Sequence, residues 1–160
     1  MRKIKVFPDA ALKQQALPVE QPANWNRLVA QMKSLVKQAD GIGLAAPQVG
    51  VNRRIFLLQG EAGEGWEIYF NPEITELAEP VEFTESCLSF PGVVIRVERG
   101  RKVIFRAIDE SGNPVEKQLE GLRAQCVQHE IDHLDGITLY DHASFTEKVA
   151  MSEQLKNYKG

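Results

Sequence analysis

The run Gln128-His129-Glu130-Ile131-Asp132-His133-Leu134-Asp135-Gly136 constrains this chain more than any other segment. Residues four apart on a helix share one face, one turn apart. A helix here therefore aims the imidazoles of His129 and His133 at a common point. Glu130 is rotated roughly 100° from His129, so it flanks that point rather than sharing it. The pattern suits a metal-activated water with a carboxylate base beside it. The chain has three histidines, and two of them fall in this motif. The competing reading is a solvated helix face that happens to carry them. A catalytic metal usually takes three protein ligands and keeps one position for water. Downstream candidates for the third are Asp141, His142 and Glu147. Upstream lies Cys87, in a compact turn-like segment after a strand, and one Cys with two His makes an open catalytic set. Cys126 could instead close a four-ligand structural site. Three residues before His129, however, it would crowd its own helix.

Composition narrows the setting. With 160 residues, 43% of them hydrophobic, the chain is expected to form a single catalytic domain over 1–160 with a short C-terminal tail at about 142–160. A formal net charge of −3 and a pI near 5.7 point to neither a general nucleic-acid binder nor a membrane binder. The basic run Arg96 to Arg101, broken by Glu98, reads as a solvated loop between strands. The basic start Met1 to Pro8 lacks an apolar signal stretch, and no apolar run approaches the ~20 residues a membrane span needs. A cytoplasmic location of bacterial type is expected. In a reducing compartment Cys87 and Cys126 are better suited to metal ligation, by at least one of them, than to a disulfide.

Periodicity places the elements. Residues 1 to 23 read as an extended arm. Asn24 is a candidate N-cap for an amphipathic helix carrying Trp25, Leu28, Val29, Met32, Leu35, Val36 and Ala39, ended by Asp40-Gly41. Such a stripe is ordinarily core rather than a cofactor box. Short strands follow at Ile55–Leu58, at Ile68–Phe70 stopping at Asn71-Pro72, at Val81–Thr84, at Val93–Val97 and at Lys102–Ile108. Asp109 to Pro114 is a turn signal, and Val115–Leu119 completes a hairpin. The motif helix runs from about Gly121 to Leu134, with Leu122, Cys126, His129 and His133 on one inward stripe. A short helix is expected after Ser144. The fold class is α+β: antiparallel strands packed around a central metal-binding motif helix, with an N-terminal packing helix.

Three segments, in this order, resemble the polypeptide deformylase family. Gly41-Ile42-Gly43-Leu44-Ala45-Ala46-Pro47-Gln48 is similar to the family's Gly-x-Gly-Leu-Ala-Ala-x-Gln. Glu85-Ser86-Cys87-Leu88-Ser89 is similar to Glu-Gly-Cys-Leu-Ser. Gln128-His129-Glu130-Ile131-Asp132-His133 is similar to Gln-His-Glu-x-Asp-His. The likeness covers roughly residues 4 to 141. It implies removal of the formyl group from N-terminal methionine of new polypeptides, with release of formate. Cys87, His129 and His133 match the metal ligands, and Glu130 matches the general base and acid. Gln48 and the backbone N–H of Leu88 match the groups that polarise the formyl oxygen. Ile42, Phe83, Leu122, Gln125, Cys126 and His129 match positions lining the methionine pocket, with Gln125 more polar than is common there. The peptide backbone would lie along Ile42–Gly43 like an added strand. The resemblance implies one divalent ion, Fe²⁺ first, with Zn²⁺, Ni²⁺ or Co²⁺ as substitutes; ligand softness alone would favour zinc.

The sequence departs from the pattern at Ser86, where glycine is common. A required positive φ there would cost a serine on the order of 1 kcal/mol. Glu85, Gln128 and Asp132 are expected to support the site through hydrogen bonds, Asp132 by pairing with an arginine. A monomer is expected, with an N-formylmethionyl peptide as substrate, no nucleic-acid site, and at most a transient ribosome contact through a short, charge-balanced tail. Two other readings stand beside the deformylase: a small zinc endopeptidase built on the same helix, and a non-catalytic metal-binding or redox-sensing module.

Overall fold

Two long strands frame the molecule and position everything else. The structure is a computed structural model covering all 160 residues. Its elements are α1 (Asn26–Gln38), β1 (Gly43–Ala45), β2 (Ile55–Gln59), β3 (Trp66–Cys87), β4 (Phe90–Ile108), β5 (Pro114–Glu120), α2 (Gly121–Leu134), α3 (Leu139–His142) and α4 (Phe145–Lys156). The strands form one sheet in the order β1-β2-β3-β4-β5, with every pair antiparallel. This is the expected α+β class. No helix is long and apolar enough to cross a membrane.

The strand count differs from the expectation. Asn71-Pro72 does not end a strand. Asn71 takes φ 51°, and the pairing with β4 shifts register between Phe70 and Glu73. An extra residue at such a bulge bends a strand without ending it, and it tolerates a proline that cannot donate to the ladder. The Asn71 amide is used at the bend: it accepts from Val19 N at 2.7 Å and donates to Val19 O at 2.7 Å. The expected loop at 96–101 is also strand. In β4 the inward positions Val93, Ile95 and Val97 are followed in phase by Arg99, which is only 6% exposed. Alternation carries that guanidinium into the interior, where it finds carboxylate partners. Asn24 does not cap α1. A 3-10 turn over Pro22–Trp25 precedes the helix, and the Asn24 amide donates to Gln21 Oε1 at 3.2 Å instead.

Three apolar clusters join these elements. From α1, Leu28, Val29, Met32 and Val36 pack on Leu44, Leu57 and Phe70 of the sheet. From α2, Ala124, Val127, Ile131 and Leu134 pack on Phe56, Tyr69 and Phe105. Met151 and Leu155 of α4, with Leu139, pack on Phe90, Val93 and Ile95. The segment expected as a tail thus contains a docked helix. Its start is fixed reciprocally: Glu147 N donates to Ser144 Oγ at 3.1 Å, and Ser144 N to Glu147 Oε1 at 2.9 Å. The N-terminal arm is tied by Lys5 N to Gln48 O at 2.7 Å and by Phe7 N to Ser89 O at 2.9 Å.

Phe105 has no exposed surface, and its ring meets Tyr69 edge-on at 5.1 Å between centroids. Phe105→Ala is expected to lower unfolding stability by about 3–5 kcal/mol, read by urea titration. A loss below about 1 kcal/mol would mean that this sheet–helix core does not hold the fold.

Candidate active site

Cys87 ends β3, one residue before the turn into β4; His129 and His133 project from α2. The three side chains offer ligand atoms that all lie within 4.8 Å of one another. Cys87 Sγ is 3.3 Å from His133 Nε2, and that nitrogen is 3.2 Å from His129 Nε2. Donors bonded to one cation at about 2.0–2.3 Å stand about this far apart. The donor set also suits a divalent transition metal: one sulfur and two imidazoles, three protein ligands with room for a fourth. Asp141 and Glu147 are not in the cluster, and His142 binds Asp132 Oδ2 at 2.8 Å. Cys126 is buried beside the site, and both cysteines are free. Burial, with the nearby Glu130 charge, pushes the Cys126 thiol up to about 12. It therefore packs as a protonated thiol.

A buried ion network orients this cluster. His129 Nδ1 lies 2.9 Å from Glu85 Oε1, so with the proton on Nδ1 the Nε2 lone pair faces the other two donors. Glu85 in turn accepts two bonds from Arg99, at 2.8 and 2.9 Å. A third Arg99 nitrogen donates to Asp132 Oδ2 at 2.6 Å. Burial alone would raise the Glu85 carboxyl, but the Arg99 and His129 hydrogen bonds overcome it and bring it down to about 2. Burial holds His133 well below the usual imidazole range. His129 moves the other way, because the Cys87 sulfur and Glu85 outweigh its desolvation.

Glu130 is 5% exposed, and its Oε2 has no hydrogen-bond partner. Desolvation pushes its carboxyl up to about 7, against the His129 charge and with help from Glu85. A carboxyl in that range can take and return a proton near neutral pH. Gly43 makes room for it: a Cβ there would lie 2.8 Å from Glu130 Oε1. Gln48 is held by Ala45 N, which donates to its Oε1 at 2.9 Å. Its Nε2 faces Ser89 Oγ at 3.1 Å and Cys87 Sγ at 3.5 Å. Gln48 thus presents its amide at the cysteine end of the cluster.

A cleft of about 860 Å³ opens onto this centre. Ile42, Leu88, Leu122, Gln125 and Cys126 stand in its wall, as do Ser86 and the tail residue Tyr158. Leu122 does not pack inward; it is 60% exposed and faces the cleft. Gln125 donates to Thr84 O at 3.0 Å. Phe83 is half-buried and, like Gly43, is not part of the cleft wall. Ser86 has no positive φ, so its serine carries no left-handed strain.

Sequence reading missed Arg99, the hub of the network, although its place in the alternation Val93-Ile95-Val97-Arg99 was the available signal. It also missed Ser89, which is fully buried against Gln48. Gln128 is expected from sequence to support the site through hydrogen bonds. It instead clamps β4, accepting from Gly100 N at 2.9 Å and donating to Gly100 O at 2.8 Å.

Fold and site together define a metal-dependent hydrolase with a strand cysteine and a helix His-Glu-x-x-His. Residues 1–149 match the polypeptide deformylase family. A peptide deformylase of Alkalilimnicola ehrlichii is 42% identical over 96% of this chain and 88% of its own. One from Thermotoga maritima is 36% identical over 97% of this chain and 94% of its own. A peptide deformylase crystal structure from Legionella pneumophila superposes with a TM-score of 0.93 at 38% identity, covering 99% of this chain and 95% of that one. The chain belongs to the polypeptide deformylase family, and it is an enzyme that removes the formyl group from polypeptide N-termini. The endopeptidase and sensing-module readings find no support in these likenesses.

Arg99 couples the strand that carries Cys87 to the helix that carries both histidines. Arg99→Ala strands a buried Glu85 charge and is expected to cost about 3–5 kcal/mol of unfolding free energy, measured by urea titration of the metal-loaded protein. A cost within about 0.5 kcal/mol of zero would show that the network is ornamental to the fold.

Proposed function

We propose that Cys87, His129 and His133 hold the divalent cation and that Glu130, Gln48 and the Leu88 N–H carry out deformylation around it. The carrying observation is the meeting of three ligand atoms within 4.8 Å beside a buried, partner-poor carboxylate at the mouth of a cleft. When bound, such an ion acts as a Lewis acid and lowers the pKa of a water toward ~7. Fe²⁺ is the proposed native ion on the family resemblance, and Zn²⁺, Ni²⁺ or Co²⁺ suit the same donors.

The chain's own groups supply the rest. Glu130, titrating near 7, accepts the water proton and returns it to the departing amine nitrogen. The Gln48 amide and the Leu88 N–H donate to the formyl oxygen as it gains charge, a contribution that is often the largest in acyl-transfer catalysis. β1 pairs only with β2, so its other edge is open beside Ile42 and Gly43. A peptide backbone can add there as a short strand. The methionine side chain then enters the cleft between Leu122, Cys126, Leu88 and Ile42, with Gln125 and Ser86 at its polar side. Residues 1–160 act as one catalytic domain, with α4 docked on β4. In this reading the enzyme acts in the cytoplasm as a monomer, meeting nascent chains in passing.

The test is formate release from formyl-Met-Ala-Ser by anaerobically purified protein, with metal content measured in parallel. Glu130→Gln is expected to keep its metal and lose turnover by at least about 100-fold. Cys87→Ala should fail to retain metal. Full activity in the glutamine variant would remove Glu130 as the proton carrier, and full metal retention in the alanine variant would remove the sulfur from the ligand set. Gly43→Ala is expected to cut kcat with little change in metal content, because its methyl meets the Glu130 carboxylate; unchanged kcat would show that the carboxylate does not work from that position.

A further inference from the structure

Charge is divided unevenly along the chain. Residues 1–60 hold nine Lys and Arg against three Asp and Glu, whereas residues 61–160 hold ten against nineteen. The fold gathers four of the early cations, Arg2, Lys3, Lys5 and Arg27, around a second cleft of about 770 Å³ between the N-terminal arm and the start of α1. No carboxylate lines it. Lys5 has one acidic neighbour, Asp9 at 3.5 Å. Arg2 donates weakly to Val49 O at 3.4 Å. Lys3 and Arg27 are exposed and enter no salt bridge. A concave site with cations and no counter-charge concentrates potential and draws anionic partners.

Its position says which partner. Lys3 stands in the wall of both this cleft and the active-site cleft, so the two meet at the arm. A polypeptide whose first residue occupies the reacting end must leave along a wall of the first cleft. An extended chain advances about 3.3–3.6 Å per residue, and Lys3 stands in the wall it passes. Asp40, at the rim of the active-site cleft, is the one acidic side chain there besides the buried Glu85 and Glu130. We propose that the basic cleft receives the downstream part of the formylated polypeptide and favours substrates with acidic side chains from about the fourth residue onward. This rests on the cleft at Cys87, His129 and His133 being the reacting end.

The favoured contact is exposed and electrostatic. It therefore acts on KM and capture rate rather than on the chemical step, and salt screens it. Three formyl-Met-Ala-Ser octapeptides, continued with five Glu, five Gln or five Lys, are compared with formyl-Met-Ala-Ser itself. Dividing each kcat/KM by the tripeptide value for the same protein removes any change at the reacting end. The Glu peptide is expected to exceed the Lys peptide by about tenfold at low ionic strength, mainly in KM, and to fall to about twofold or less in 0.5 M salt. Arg2→Glu/Arg27→Glu should bring the low-salt ratio near one or invert it. Equal values for the Glu and Lys peptides at low salt would overturn the proposal while tripeptide turnover leaves the deformylase site standing. A Glu preference that survives intact in the double variant would overturn it too, by placing the preference elsewhere. Inhibition by a single-stranded RNA oligonucleotide, with no difference among the peptides, would assign the cleft to nucleic acid and likewise sink the peptide reading.

Discussion

A single buried guanidinium joins the two halves of this enzyme's centre. Cys87 comes from the end of a strand and the histidines from a helix more than forty residues later in the chain. Nothing local forces them together. Arg99 does so by grasping Glu85, two residues before the cysteine, and Asp132, one residue before His133. Glu85 then passes the constraint to His129 through its Nδ1. Buried ion pairs often contribute little net stability, because desolvating both charges offsets their attraction. Their value here is geometric. The arrangement is satisfied only when strand and helix are in register, which is also the arrangement that brings the Cys87, His129 and His133 donor atoms within 4.8 Å of one another.

The same burial that makes Arg99 costly makes Glu130 useful. Around Glu85, two hydrogen bonds from the Arg99 guanidinium and one from His129 hold the carboxylate ionised; around Glu130, burial is not matched by partners, and the group titrates near neutrality. Two carboxylates in one site are thereby given different duties by their surroundings. Gly43 belongs to that division, since any side chain there would press on the Glu130 oxygen.

How far the sequence could be read follows from how local each feature is. The motif helix was legible to the residue, Gly121–Leu134, because its histidine spacing and Asp-Gly stop are local signals. The sheet's class was legible from alternation, but its continuity was not. Asn71-Pro72 carries the composition of a turn and is a bulge, because Val19, distant in sequence, satisfies the Asn71 amide. Arg99 carries the composition of a surface loop and is core, because its partners come from two other elements. Leu122 sits on the helix stripe that periodicity turns inward, yet it borders a cleft that only tertiary packing creates. Long-range pairing decided each of these, and a single sequence does not display it.

The shape around Cys87, His129 and His133 also bears on why a helix of the kind used by endopeptidases suits a narrower reaction. An endopeptidase needs open space on both sides of the scissile bond. Here one side is closed: Gln48, Ser89 and His133 are 2%, 0% and 1% exposed, and the N-terminal arm bonds to the backbone of both Gln48 and Ser89. A formyl carbon carries only hydrogen beyond its carbonyl, so it can approach such a floor. An acetyl methyl, and still more a preceding residue, would meet packed side chains that cannot shift cheaply. The other side opens into the larger cleft, where an entire polypeptide can leave. On the proposed assignment of the reacting end, closure on one side and openness on the other turn a general hydrolytic centre toward the ends of chains.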